Sequence, residues 1–226
     1  MSEPRIAFEC DIGGETLQVP EELPLLPVRN TLVFPHIQVP LQVGRALSLG
    51  AVAEAANGDR LLAVVPQRRH DVEEPGLADL YPVGSVVRIL RVVEGSPGRG
   101  INVDVVGVAR FSLRDVLRDG QMMRARIGAL PEILEPTPEA EAARRTVQDL
   151  ARELIALRDE LPDDFIDIDH GDASRLADEI AFASGLSLDQ NVALLAEPDV
   201  LTRLRILIRH LMHELRIAKV SKRVAQ

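Results

Sequence analysis

LPLLPVRNTLVFPHIQVP, residues 23–40, sets Pro24, Pro27, Pro35 and Pro40 among Leu, Val, Ile and Phe. Proline lacks the backbone donor and fixes φ, so it belongs at strand starts, edges and turns rather than inside a central strand. The stretch therefore predicts two short strand pieces joined by an apolar loop. Pro35 and Pro40 are expected to hold residues 32–37 outward as an exposed apolar surface.

On either side the pattern is β. RIAFECDI, residues 5–12, alternates Ile6, Phe8, Cys10 and Ile12 on one face, and Gly13-Gly14 can turn it into ETLQV as a hairpin. ALSLGAVAEAANGD predicts a short helix closed by Asn57-Gly58. RLLAVV reads as a strand, and HDVEEPGLADLYPVG as a polar loop ending at Tyr81-Pro82. SVVRILRVVE, INVDVVGVARFSL and QMMRARIGAL follow, with turn signals between them, and predict a meander in a compact sheet or barrel.

At PEILEPTPEAEA, residues 131–142, the hydrophobic period changes from two to about 3.6 residues. This predicts a β-rich domain over 1–130 and a helical one over 131–226, an α+β fold. Thr137 can cap the next helix and Pro138 suits its first turn. Its apolar stripe is Ala143, Val147, Leu150, Leu154, Leu157 and Leu161. PDDFIDIDHGD ends that helix, and a second covers ASRLADEIAFAS up to Gly185. Ser187 and Gln190 form a capping-box pair for a third. Pro198 opens the last, with Leu201, Leu204, Ile208, Leu211, Leu215 and Ala218 as its stripe. No Gly or Pro stops it before Gln226, so the natural chain is expected to continue.

Composition limits the function classes. No apolar run approaches the ~20 residues of a membrane helix, and MSEPRIAFECDI lacks the features of a secretory signal. The single cysteine, Cys10, fits a reducing cytoplasm and reads as a small strand residue. Net charge is −9, against simple nucleic-acid binding. Residues 199–226 carry seven Arg/Lys and two Asp/Glu, so a basic terminal helix follows an acidic body of charge −14.

The motifs that could carry chemistry fail on spacing. GSPGRG has phosphate-loop glycines, but Ile101 and Asn102 stand where Lys and Ser/Thr are needed, and a strand follows; it reads as a hairpin turn. His210, His213 and Glu214 match neither order of a zinc-protease helix. Asp167, Asp169 and Asp172 around Gly171 lack the closing glutamate of a calcium loop. There is no Gly-x-Ser-x-Gly elbow. Lys219 and Lys222 sit on a basic helix face, where a lysine stays protonated and cannot serve a Ser–Lys pair. No catalytic, cofactor or metal residues are expected, which directs attention to apolar binding surface.

Four stretches carry a family resemblance. LPLLPVRNTLVFPHIQVPLQVGR, residues 23–45, resembles the opening of the LON domain, the amino-terminal domain of Lon proteases. VGSVVRILRVV and VVGVARFSL are similar to its second and third landmarks, and residues 173–215 to its helical portion. His36 stands where family members often have Gly, and residues 1–21 precede the usual start. The resemblance implies a β-rich lobe of twisted sheets holding one short helix, then a helical bundle ending in a long helix. It implies a substrate-recognition module for unfolded or damaged proteins in a hexameric, cytoplasmic, ATP-dependent protease of protein quality control. ATP and magnesium would belong to an AAA+ module, and the peptidase chemistry to a Ser–Lys domain, neither of which is in this chain. The expected client contacts are Leu32, Phe34, Pro35, Ile37 and Tyr81, with no membrane or nucleic-acid partner. The alternative is a standalone LON-like ligand-binding or adaptor domain.

Overall fold

The computed structural model describes residues 5–12, 14–94, 100–120, 122–157 and 171–224. The chain divides into two compact units, Met1–Pro131 and Glu132–Gln226. The first is mostly strand and the second helical, giving the α+β class.

In the first unit, β1 (Ile6–Ile12) and β2 (Glu15–Pro20) form the expected antiparallel hairpin. The register shifts between Ile6 and Phe8, so the anticipated single face is split. Phe8 and Cys10 pack half-buried on the core while Ile6 is exposed, because a bulge residue reverses the alternation. Burial raises the Cys10 thiol pKa, with Asp11 adding to the effect.

Then come β3 (Glu22–Val28), β4 (Gln38–Val43), α1 (Ala46–Asn57), β5 (Leu61–Pro66), a 3-10 turn (Leu77–Asp79), β6 (Val83–Glu94), β7 (Ile101–Asp119) and β8 (Met122–Ala129). The order β7-β6-β5-β3-β8 returns to β7, so these five strands close a barrel. Closure removes most of the unpaired edge that an open sheet would expose. β3 and β5 run parallel, with β4 and α1 between them in sequence; the other pairs are antiparallel. The 19-residue β7 serves two partners along one side. Its residues 101–106 pair with β4, and its residues 111–119 with β8. The barrel interior holds Leu23, Leu25, Leu61, Val65, Val86, Phe111, Ala125 and Ile127. The turn at residues 95–99 lies outside the described residues.

The second unit contains α2 (Pro138–Leu157), α3 (Ala173–Ala183), α4 (Leu188–Ala196) and α5 (Val200–Val224). Thr137 Oγ1 accepts from the Ala140 amide at 3.1 Å, the cap expected for α2. Ser187 and Gln190 form their reciprocal box, and Gly185 follows α3 at φ +67°. Three details differ from expectation. Asp199 rather than Pro198 opens α5, its carboxylate accepting from the Leu201 and Thr202 amides at 3.2 Å each. The buried face of α2 is Ala140, Ala143, Val147, Ala151 and Leu154, while Leu150 and Leu157 are half-buried. On α5 the buried line is Leu204, Leu207, Leu211 and Leu215, and it includes Arg203; Leu201, Ile208 and Ala218 lie on its flank. Leu161, Asp167 and Asp169 lie outside the described residues.

Candidate functional site

The apolar loop between β3 and β4 turns inward. Leu32, Phe34 and Ile37 are 6%, 1% and 8% exposed, and Pro35 is buried with them. The expectation that prolines hold this loop outward is therefore corrected: in this structure these side chains are core. Tyr81 is half-buried. Phe34, Pro35 and Ile37 meet β7 at Gly107, whereas Tyr81 is held by the end of β5, its amide donating to Pro66 O at 3.0 Å. The Arg68 guanidinium carbon sits 5.2 Å from the centre of the Tyr81 ring, a cation–π distance.

Gly107 explains the inward turn. His36 N donates to Gly107 O at 2.9 Å, and Gly107 N donates to Ile37 O at 3.0 Å. Pro35 bridges Gly107 just before His36, a position that asks no donor of it. A side chain on Gly107 would collide with the Phe34 backbone, so only glycine lets the two chains approach this closely. Ser85 Oγ donates to Val33 O at 2.5 Å and fixes the loop from β6. His36 itself is exposed and takes φ +64°, the left-handed turn for which glycine is better suited.

A polar cluster beside the loop was not anticipated. Arg45 Nη1 donates to Gln67 Oε1 at 2.6 Å and to Glu73 O at 3.3 Å, and its Nη2 donates to Pro27 O. Gln67, fully buried, donates to Arg69 O and Val72 O at 3.1 and 2.9 Å. Arg29 Nη2 donates to Glu73 Oε1 at 2.8 Å. Burial, followed by the charge of Arg29, lowers the Arg45 pKa, and Glu73 opposes that shift. The hydrogen bond from Arg29, then its charge, lowers the Glu73 pKa. The available signal was two arginines, one inside the proline-rich run and one just beyond it; their convergence depends on the return of residues 67–73 from β5.

Apolar surface does exist elsewhere in this unit. Leu90, Val92 and Val93 are 40%, 41% and 38% exposed at the end of β6. In the helical unit, His213 is exposed and a His210 ring nitrogen lies 3.3 Å from Ser184 O. Among the described residues no three His, Cys, Asp or Glu side chains gather as a metal site, and no helix is long and apolar enough to cross a membrane.

Residues 22–213 match the family described as the ATP-dependent protease La (LON) substrate-binding domain. Lon protease 2 of Myxococcus xanthus is 31% identical over 209 residues, covering 91% of this chain and 25% of that protein. Lon protease of Geobacter metallireducens is 33% identical over 205 residues, covering 89% and 25%. The chain thus spans about a quarter of the length of the curated relatives it matches. The solved N-terminal domain of a Mycobacterium avium complex Lon protease superposes with a TM-score of 0.63 at 26% identity, covering 84% of this chain and 98% of that one. A Lon N-terminal domain protein from Xanthomonas campestris, at 21% identity and TM-score 0.60, shares the fold. The matched span and the relatives agree: this chain belongs to the LON substrate-binding domain family.

Proposed function

We propose that the chain is the substrate-recognition module of an ATP-dependent Lon-type serine protease. It captures unfolded or damaged proteins and hands them to a AAA+ ring lying outside these residues. ATP and magnesium would act in that ring, and a hexamer would set six modules around it.

The exposed end of β6 carries this reading. β5 pairs with β6 only as far as Arg88, and residues 91–94 of β6 are paired with β7. Leu90, Val92 and Val93 therefore lie on a strand with one edge beyond its β5 partner. Extended unfolded chains offer apolar side chains and backbone groups together, and a strand edge can accept both. Three such side chains bury little area, and lost rigid-body freedom offsets most of the gain. Binding per module should be weak, and six tethered copies would strengthen it through effective concentration.

Titration of the 226-residue chain against fluorescein-labelled unfolded casein and a folded control tests the reading. Unfolded protein should bind and folded protein should not. Leu90→Ser with Val92→Ser should weaken binding by about fivefold or more with unchanged circular dichroism. Equal binding of folded and unfolded protein would overturn it.

A further inference from the structure

The wall of the first unit opens beside the arginine pair. β3 pairs with β8 through residues 22–24 and with β5 through residues 25–28, so the side of residues 25–28 opposite β5 lies beyond the β8 ladder. β4 is joined to the sheet through β7. Between the two edges lies a groove of about 560 Å³, walled by residues 26–28 and 40–43 and ending at Arg29, Arg45 and Ser48. That volume falls within the range of ligand sites.

Neither edge suits strand addition. Val28 O accepts from Gln67 N of the chain leaving β5, so the preceding Pro27 carbonyl faces the groove, where Arg45 already holds it. Gly107 N donates to Ile37 O, so alternation along β4 turns Pro40 outward. Proline thus removes a donor from each edge. A ligand must be held by its side chains and its charge.

The part of the groove lined by Arg45 and Ser48 suits an anion. It is the N-terminus of α1, a 12-residue helix with no side-chain cap and no acidic residue in its first turn. Its dipole and amides favour negative charge there. Ser48, in that first turn, is 2% exposed, and its hydroxyl has no hydrogen-bond partner. Buried hydroxyls are nearly always paired, so one without a partner at the end of a groove points to a ligand. Arg29 donates to the Glu73 carboxylate, whereas Arg45 reaches only the Glu73 main-chain oxygen, so the Arg45 guanidinium is held by neutral acceptors and not by a carboxylate. Arg29 is 36% exposed and within reach of solvent.

We propose that this groove is a carboxylate-binding cleft that takes the C-terminal end of an extended client peptide. Its terminal carboxylate is seated at Arg29, Arg45, Ser48 and the α1 N-terminus, and its preceding residues lie along the groove between residues 26–28 and 40–43. A free inorganic anion would make no use of those walls. The inference rests on the client-recognition reading and names a feature of the client.

Fluorescence anisotropy of the 226-residue chain with a labelled hexapeptide ending in Val-Leu tests this. The free acid should bind about tenfold or more tighter than its C-terminal amide, the scale of a charge-assisted contact. Arg29→Gln and Ser48→Ala should each remove most of that preference, weakening the free acid more than the amide. Ser48→Ala deletes a hydroxyl without a protein partner, so its fold is retained. Glu73→Gln should tighten acid binding by freeing Arg29, an effect that a purely structural role does not produce. Equal binding of acid and amide, or a preference that survives both Arg29→Gln and Ser48→Ala, would overturn the cleft. An amidated peptide carrying one internal Asp that binds as well as the free acid would overturn the C-terminal assignment. Inorganic phosphate that displaces the peptide at concentrations below the peptide's own Kd would overturn the peptide assignment. Casein binding without an acid preference rejects the cleft alone; an acid preference without casein binding rejects unfolded-protein capture alone.

Discussion

A methyl group on Gly107 would stand 2.0 Å from the carbonyl oxygen of Phe34. That approach decides whether the apolar loop is core or surface. Gly107→Ala should push the loop off β7 and cost about 2 kcal/mol or more, as overpacking against rigid backbone does. Urea unfolding checks this. A midpoint within error of the parent would mean that the loop is not seated on β7.

His36→Gly should act in the opposite direction. A non-glycine residue in the left-handed region costs roughly 1–2 kcal/mol, and the flexibility of glycine in the unfolded chain returns part of that. With His36 at φ +64° and exposed, a net gain of about 0.5–1 kcal/mol is expected. Thermal melting should show a higher midpoint; a lower one would contradict the turn.

The helical unit holds a buried charge network. Arg203, fully buried, donates to Asp178 Oδ1 at 2.9 Å, to Glu132 Oε1 at 2.6 Å and to Ser174 Oγ at 3.1 Å. Removing one partner leaves a guanidinium under-compensated in a dry site, so Asp178→Ala should cost about 3–5 kcal/mol. Arg203→Met combined with Asp178→Leu should recover much of that loss, because it removes the two fully buried charges and leaves only Glu132, whose side chain is one-third exposed and hydrated. A double variant no more stable than Asp178→Ala would refute this.

Acid sensitivity should appear on α2. Hydrogen bonds from Arg144, then from Arg145, lower the Glu141 pKa from 4.5 to about 2. A folded-state pKa below the unfolded one gives stability that is fully present above the unfolded value, about 4.5. It is lost as pH falls toward about 2. Glu141→Gln should therefore be less stable than the parent at pH 7, with the difference shrinking between those values. High salt should also reduce it, since the pair is solvent-exposed. A difference independent of pH would contradict the assignment.

Much of the α+β fold was legible because period-two and period-3.6 patterns occupy different parts of the chain. The Thr137 cap and the Ser187–Gln190 box were legible for the same local reason. A sheet or a barrel was expected, but the choice between them was not legible, since closure requires β7 to change partners midway and no local pattern marks that exchange. The burial of Leu32, Phe34 and Ile37 was also hidden. It depends on Gly107, some seventy residues away, whose missing side chain admits the loop. Arg203 interrupts an apolar stripe and reads as a flank residue until Asp178 and Glu132 are brought to it. The arginine pair at Arg29 and Arg45 was visible as residues, but Gln67 and Glu73 join them only once β5 has formed.

Hydrogen exchange of the 226-residue chain with and without unfolded casein tests client capture most directly. The account expects slowed exchange at residues 90–94, with the amides of Leu32, Val33 and Phe34 unchanged. Protection confined to residues 32–37 and 81, or to the helical unit, would contradict it.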